Sequence, residues 1–289
     1  MGQGEFRFSI NYDPPIAWGA LLKFIGVRGA HSAEQVENGL YRRTVELDAV
    51  RGWVTVEHCR YSHSLTVALP ERLQEQHEEV QKRLTHLFDL WADSSAIDDH
   101  LKGDPILARS VESSPGIRVP GAFDGFEVAM RAVLGQQISV RAATTLFARL
   151  TTLFGKKVAT PFPDLAQLTP SAFDIANASH SAIGAIGLTS RRAETLISLA
   201  RSVCDGFISF DGSLDCSETC RKLMTIRGIG PWTASYIALR ALGDKDAFPD
   251  TDLVIKKRLK VHGEASIAQL SARWRPYRGY AAMRLWRMA

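Results

Sequence analysis

The chain has few cysteines and no long apolar run. Its four cysteines in 289 residues, Cys59, Cys204, Cys216 and Cys220, show no paired CxxC spacing, and no His or Cys partners stand at metal-ligand distance from Cys216 and Cys220. We therefore expect reduced cysteines and neither a disulfide framework nor a zinc site. Since no apolar run reaches the roughly 18–20 residues of a membrane span and the N-terminus has no signal-peptide pattern, we expect a cytoplasmic protein without membrane association.

The net charge of +4 is concentrated near one end of the sequence. Residues 253–289 hold nine basic residues against the single acid Glu264, so this segment carries +8 and the rest of the chain −4. A solvated basic face explains most short charge runs, but here aromatic residues interrupt the basic ones. Basic groups neutralise phosphates and aromatic faces stack on bases, so we predict a nucleic-acid partner. The residues are Lys256, Lys257, Arg258, Lys260, Arg273, Arg275, Arg278, Arg284 and Arg287, with Trp274, Tyr277, Tyr280 and Trp286 among them.

Hydrophobic periodicity predicts an α+β fold in two parts. Residues 1–92 form a small antiparallel-sheet domain, with strands over 6–12, 40–47, 53–57 and 64–69 and helices over 16–27 and 70–91. Residues 93–289 form a mostly helical domain. Its predicted helices cover 96–102, 123–134, 139–154, 170–177, 190–204, 217–225, 232–242, 253–259, 267–274 and 279–287.

The most specific motif is the turn Gly228-Ile229-Gly230 between two helix patterns. Glycines let backbone N–H groups approach a phosphate closely, and the second helix directs its positive end at the same place. Pro231 removes one donor but suits the first position of a helix. This helix-hairpin-helix pattern also occurs in proteins without catalytic activity, so the turn alone predicts only sequence-independent DNA binding.

Asp252, about twenty residues after the turn, suggests chemistry. It is positioned as the N-cap of the helix that begins at Leu253, and a helix N-terminus favours an ionised carboxylate. An ionised Asp is not a general acid at neutral pH, but it can stabilise a sugar oxocarbenium ion or orient a water. Cleavage of an N-glycosidic bond requires these roles. Asp250 is the competing candidate.

With these residues the chain resembles the helix-hairpin-helix DNA glycosylases, and among them the AlkA-type 3-methyladenine DNA glycosylase II. The resemblance implies two helical subdomains with a cleft between them and a catalytic role for Asp252. It extends over nearly the whole chain, with matching motifs at 11–18, 134–140, 187–194, 228–234, 248–252 and 274–278.

The aromatic residues fit a base pocket. Trp232 and Tyr236 are one helical turn apart and share a face, and the resemblance places Trp286 opposite them and Phe24 as a further wall. A core position remains the alternative for Phe24. Alkylated purines carry a positive charge that aromatic faces attract, by about 0.5–2 kcal/mol.

The resemblance also implies DNA contacts and a cation site. The DNA contacts are Gln136, Gln137, Gly228, Gly230 and Thr233. Gln137 stands where the family inserts a wedge into the base stack, although a hydrogen bond from the loop to a helix is its alternative role. The backbone carbonyls of Met224, Ile226 and Ile229 match a site for Na⁺ or K⁺, and no cofactor is required.

Three departures from the family pattern narrow the expected activity. Trp232 occupies the position of the lysine of bifunctional members, so Schiff-base chemistry and strand cleavage are not expected. No Cys follows Cys220, so the iron–sulfur cluster of some relatives is not expected. Leu253 follows the catalytic Asp where an aromatic residue can stand, which leaves the substrate range open.

The sequence therefore predicts a monomeric, monofunctional glycosylase that flips alkylated purines such as 3-methyladenine and 7-methylguanine out of double-stranded DNA. Two alternatives remain: a DNA-damage-binding protein without catalytic activity, and an oxidised-purine glycosylase.

Overall fold

The computed structural model describes residues 4–259 and 266–288. The N-terminal part is one antiparallel sheet of five strands in the order β1-β5-β4-β3-β2. Alternation of apolar and polar residues directs one face of each long strand inward, as in β3, where Tyr41, Val45 and Leu47 are buried. The strands are β1 (Glu5–Asn11), β2 (Glu34–Glu37), β3 (Leu40–Leu47), β4 (Val50–Cys59) and β5 (Ser64–Pro70).

The predicted α+β class is confirmed, and four of the five strands were predicted. β2 was missed because its sequence, Glu-Gln-Val-Glu, has no apolar alternation. It nevertheless pairs with β3 through Glu34↔Arg43 and Val36↔Tyr41. This short polar strand carries Glu34 into the interior, where only 6% of the residue is exposed.

Two helical segments pack on the sheet. The first is α1 (Trp18–Gly26), and the second is a 3₁₀ turn (Glu71–Gln76) continued by α2 (His77–Phe88). The prediction of one helix over 70–91 was wrong at both ends. At the first end, Glu71–Gln76 form a 3₁₀ turn. At the second end, the helix stops before Asp89, whose φ of 55° is left-handed. Asp89 is buried and accepts hydrogen bonds from the Val119 amide (3.0 Å) and the Tyr280 hydroxyl (2.9 Å), which ties the sheet to the helical part.

The remainder is helical and has two apolar cores. One core is centred on α5, α6, α9 and α11, and the other joins α3 and α4 to α12–α14. The short helices α4 and α8 were not predicted. The helices are α3 (Ser94–Lys102), α4 (Ala108–Ser113), α5 (Gly125–Leu134), α6 (Val140–Phe154), α7 (Ala172–Ala176), α8 (His180–Gly184), α9 (Ser190–Cys204), α10 (Cys216–Thr225), α11 (Pro231–Arg240), α12 (Leu253–Leu259), α13 (Ile267–Ala272) and α14 (Arg278–Arg287).

Helix α11 lies between the two cores. Ala234 and Ile237 pack into the first core, whereas Ala238 and Leu239 pack into the second. The side chains of α11 that pack in neither core therefore face the space between the two helical cores. The domain boundary at residue 93 stays a prediction, since Phe24 packs in the second helical core and Phe123 packs in the sheet core. Within the described residues, no helix has the length and apolarity needed to cross a membrane.

Candidate active site

The turn between α10 and α11 has the backbone of a helix hairpin. Gly228 has φ +99°, and a Cβ there would lie 2.2 Å from Thr195 Oγ1. Thr195 in turn donates a hydrogen bond to the Arg227 carbonyl (2.9 Å) and fixes the turn against α9. Gly230 differs, because it is exposed and a Cβ there would meet no protein atom within 4 Å. The surface at Gly230 is thus open to a ligand, next to the first N–H groups of α11, which have no intrahelical partner.

A loop between α5 and α6 braces this hairpin. Gln136 Nε2 donates to the Gly228 carbonyl (2.8 Å) and to Thr233 Oγ1 (3.0 Å), and Arg192 donates to the Gln136 carbonyl. Thr233 is only 3% exposed. Gln136 and Thr233 were predicted as DNA contacts; the structure gives their side chains a supporting role, which leaves the Thr233 backbone amide as its route to a phosphate. Gln137, the predicted wedge, is exposed with φ +56°.

Asp252 occupies the N-cap of α12, as predicted. Its Oδ1 accepts hydrogen bonds from the amides of Val254 (2.9 Å) and Ile255 (3.1 Å), and its Oδ2 accepts one from Trp232 Nε1 (2.9 Å). Three N–H donors thus fix the carboxylate and leave Oδ2 with unused lone-pair capacity. Asp252 lines a cleft of about 1420 Å³, whereas Asp250 is exposed and does not line it. The geometry therefore favours Asp252 over Asp250.

Three predicted aromatic residues meet beside this carboxylate. The rings of Trp232 and Tyr236 are stacked, with centroids 5.4 Å apart and an interplanar angle of 19°. Trp286 of α14 reaches the same place, 6.0 Å from Tyr236. All three line a cleft of about 1420 Å³ between the two helical cores. This volume exceeds the roughly 300–1,000 Å³ of small-ligand pockets, so the cleft has room for a large ligand.

Phe24, the fourth predicted pocket residue, is not among the residues that line the cleft. It is 9% exposed, and the Arg28 guanidinium lies over its ring, with Cζ 3.6 Å from the centroid. Arg240 approaches the same ring at 4.8 Å. Arginine therefore covers Phe24, and Arg28 forms the cleft wall where Phe24 was expected.

Arginines also set the electrostatics of Tyr236. Its hydroxyl accepts a hydrogen bond from Arg240 Nη1 (2.8 Å). Burial alone raises the pKa of Tyr236, but Arg240, Arg28 and Arg131 outweigh it, so the net pKa lies below its usual value. Burial lowers the pKa of Arg28 and of Arg240, yet a guanidinium stays charged at neutral pH. The part of the cleft around Tyr236 thus holds a cluster of positive charges.

Much of the C-terminal basic excess serves the fold instead of a ligand. Arg284 is fully buried and bonded to Asp98, Arg278 forms a two-bond pair with Asp246 (2.9 Å each), and Arg275 shares that carboxylate (3.0 Å). The interpretation of the whole segment as a nucleic-acid surface was therefore wrong for Arg284. For Arg275, whose side chain is 60% exposed, it stays a prediction. Lys260 lies outside the described residues. For Lys256, Lys257 and Arg258, which lie on α12 after Asp252, a nucleic-acid role stays a prediction.

The pocket arginines were missed by the sequence reasoning, although a spacing signal existed. Arg28 stands four residues after Phe24 and Arg240 four residues after Tyr236. Arg131 likewise stands four after Glu127. Residues four apart share a helix face, which places Arg240 near Tyr236 in α11 and Arg131 near Glu127 in α5. Arg28 lies two residues beyond the end of α1, so the rule applies to it only if that helix continues.

The fold and the site together define a DNA-repair glycosylase of the helix-hairpin-helix type. Residues 7–124 match the model of the AlkA N-terminal domain, and residues 130–269 match the model of the HhH-GPD superfamily base excision DNA repair proteins. The DNA-3-methyladenine glycosylase 2 of Escherichia coli is 33% identical over 279 residues, 96% of each chain. The chain therefore belongs to the HhH-GPD superfamily of base excision DNA repair proteins, and it is an N-glycosyl hydrolase that acts on DNA.

Solved structures agree on the fold. The 3-methyladenine DNA-glycosylase of Archaeoglobus fulgidus superposes with a TM-score of 0.81 at 23% identity, covering 96% of each chain. An 8-oxoguanine glycosylase/lyase of Clostridium acetobutylicum, in complex with DNA, superposes with a TM-score of 0.70 at 21% identity, covering 90% of this chain and 88% of that one. The fold is thus shared by enzymes named for different lesions, so it does not choose the base.

Proposed function

We propose that this enzyme is a monofunctional DNA glycosylase that removes alkylated purines, including 3-methyladenine and 7-methylguanine, from double-stranded DNA. The observation that carries the proposal is the Asp252 carboxylate, held by three N–H donors at the edge of the Trp232–Tyr236 stack. The direct test is incubation with duplexes that each carry one defined lesion, followed by cleavage at abasic sites. A DNA-damage-binding protein without catalytic activity would retain the duplex and release no base.

In the proposed mechanism the target base leaves the stack and enters the cleft between Tyr236 and Trp286. Gln137 fills the vacated stack from its exposed position in the α5–α6 loop. The Gly230 turn and the N-terminus of α11 hold a backbone phosphate. A positively charged purine is already a good leaving group, so the enzyme mainly stabilises the sugar cation. Asp252 supplies the negative charge and orients the attacking water, which leaves an abasic site.

The enzyme needs no cofactor for this chemistry, but a structural cation fits the hairpin. The carbonyls of Met224, Ile226 and Ile229 lie at the end of α10 and in the turn, where the helix dipole is negative. Ile226 O accepts one hydrogen bond, from the Ile229 amide (3.0 Å), and a carbonyl has a second lone pair. Oxygen ligands of this kind suit Na⁺ or K⁺. We further propose a monomer that acts in the cytoplasm.

Borohydride is expected to trap no covalent adduct between the enzyme and lesion-containing DNA. Trapping requires an amine that attacks the sugar, and Trp232 occupies the place of that amine. The measurement is the yield of a slow-migrating band on a denaturing gel, with a lysine-dependent glycosylase/lyase as positive control. A strong trapped band would show that another amine of this chain attacks the sugar.

Trp232→Phe is expected to lower kcat about tenfold with a smaller change in KM. Phe keeps an aromatic face against Tyr236 but lacks the N–H that donates to Asp252 Oδ2, and a hydrogen bond to a charged group is worth about 1.5–3 kcal/mol. Single-turnover base release over a range of enzyme concentrations separates the two constants. A variant that weakens binding and leaves the chemical step unchanged would assign Trp232 to stacking alone.

A further inference from the structure

Most of the charged residues that line the cleft are arginines. Among the described residues that line it, Asp252 is the one carboxylate, against five arginines. Three of these, Arg28, Arg131 and Arg240, form what we call the arginine wall, and they surround the side chains that would receive a flipped base. The arginine wall is positively charged, whereas a cationic base is attracted by negative charge.

The arginine wall competes with a cationic base for the ring of Tyr236. Arg240 lies 5.6 Å from the Tyr236 centroid while it donates a hydrogen bond to the Tyr236 hydroxyl. A purine cation stacked on Tyr236 therefore meets like charge at close range. A neutral purine meets N–H donors instead, and these can stabilise the negative charge that develops on it as it leaves.

Two buried carboxylates stand behind the wall. Arg131 Nη2 lies 3.3 Å from Glu34 Oε2 and 3.2 Å from Glu127 Oε1. Arg43 pairs with Glu127 at 3.0 Å, and the Tyr41 hydroxyl donates to Glu34 at 2.7 Å. Burial raises the pKa of Glu127, but Arg43 and Arg131 lower it more, so its net pKa is below the usual value and the group is ionised. Glu34 and Glu127 are 6% and 5% exposed, so water screens their charges little.

These carboxylates are within electrostatic reach of the base pocket. They border a small internal cavity of about 20 Å³ whose other walls include the whole arginine wall. Arg28, Arg131 and Arg240 border both this cavity and the cleft. One layer of guanidinium groups thus separates the flipped-base site from Glu34, which the N-terminal sheet supplies through β2.

We propose that Glu34 and Glu127 determine the selectivity of the pocket between cationic and neutral bases by compensating the arginine wall. With both carboxylates in place the pocket tolerates a purine cation. Without one of them the uncompensated guanidinium charge repels the cation and leaves a neutral base unaffected or better bound. The N-terminal sheet then has a role in lesion choice. This inference rests on the proposed function.

The test is the ratio of kcat/KM for a 7-methylguanine duplex, which is cationic, to that for a hypoxanthine duplex, which is neutral. This ratio is independent of the fraction of folded enzyme, so partial misfolding of a buried variant does not obscure it. Glu34→Gln is expected to lower the ratio roughly tenfold, which is the order of effect that Coulomb's law gives for one unit charge acting over a separation on the order of 10 Å at an effective dielectric constant of about 20. Arg28→Gln removes a positive charge and is expected to raise it.

Matched variants separate charge from packing. Glu34→Asp keeps the charge and is expected to keep the wild-type ratio. Glu46→Gln makes the same change in net charge at a surface ion pair with Arg51 and is also expected to keep it. The inference fails, and the proposed function stands, if Glu34→Gln leaves the ratio unchanged. The same holds if Glu34→Asp lowers the ratio as much as Glu34→Gln does. If the wild-type enzyme releases neither base, the proposed function fails and the inference fails with it.

Discussion

Asp252→Asn is expected to lower base release by roughly 10³-fold or more, the combined size of a general-base and an electrostatic contribution. Asn is nearly isosteric but carries no charge, so it cannot stabilise the sugar cation or deprotonate a water. The amide also faces Trp232 Nε1, which donates to Oδ2 in the wild-type enzyme (2.9 Å). The measurement is single-turnover release of 7-methylguanine at saturating enzyme.

In Asp252→Asn the loss of activity is expected without a loss of stability or of DNA binding. Asn caps helices about as well as Asp, so the bonds from Val254 and Ile255 remain and the thermal midpoint is expected to stay unchanged. DNA affinity is expected to be unchanged or higher, since a negative charge facing a polyanion is removed. Asp250→Asn is the matched control two residues away, and near-wild-type activity is expected there because Asp250 is exposed outside the cleft. Loss of release in Asp250→Asn with full activity in Asp252→Asn would reverse the assignment.

The positions of the hairpin and of the residues beside it could be predicted from the sequence because the signals are local. The hairpin, the N-cap at Asp252 and the pair Trp232 and Tyr236 all depend on spacings within one turn or one helix. Strand alternation likewise predicted the long strands, whose inward residues are buried in the structure. These features follow from periodicity and from backbone demands that single residues satisfy.

The charge arrangement could not be predicted, because its partners are distant in sequence. Arg131 pairs with Glu34 across 97 residues, on a strand with no apolar alternation. Arg278 forms an ion pair with Asp246, and Arg284 forms one with Asp98. These two arginines are therefore neutralised within the protein, although their sequence segment was interpreted as a nucleic-acid surface. Composition reports how many charges a segment has, whereas only the fold shows which of them are already neutralised.

The two glycines of the hairpin are expected to fail in different ways. Gly228→Ala places a methyl group against Thr195 Oγ1 at a φ of +99°, so the turn must shift. We expect a loss of about 2–4 kcal/mol in the free energy of unfolding from backbone strain and overpacking, seen as a lower thermal midpoint. The Gln136 and Thr195 bonds to the turn would weaken with it, and both DNA affinity and base release would fall.

Gly230→Ala is expected to leave stability unchanged or slightly higher and to weaken DNA binding roughly 10- to 100-fold, the worth of a lost charge-assisted hydrogen bond. Its φ of −99° suits alanine, and the added methyl group meets no protein atom within 4 Å. Within the described residues no contact requires glycine at this position, so we attribute its role to a ligand that approaches the backbone. Thermal unfolding and DNA titration of the two variants, side by side, separate the roles. If Gly230→Ala binds an abasic duplex as tightly as the wild type, the phosphate does not approach the hairpin at Gly230.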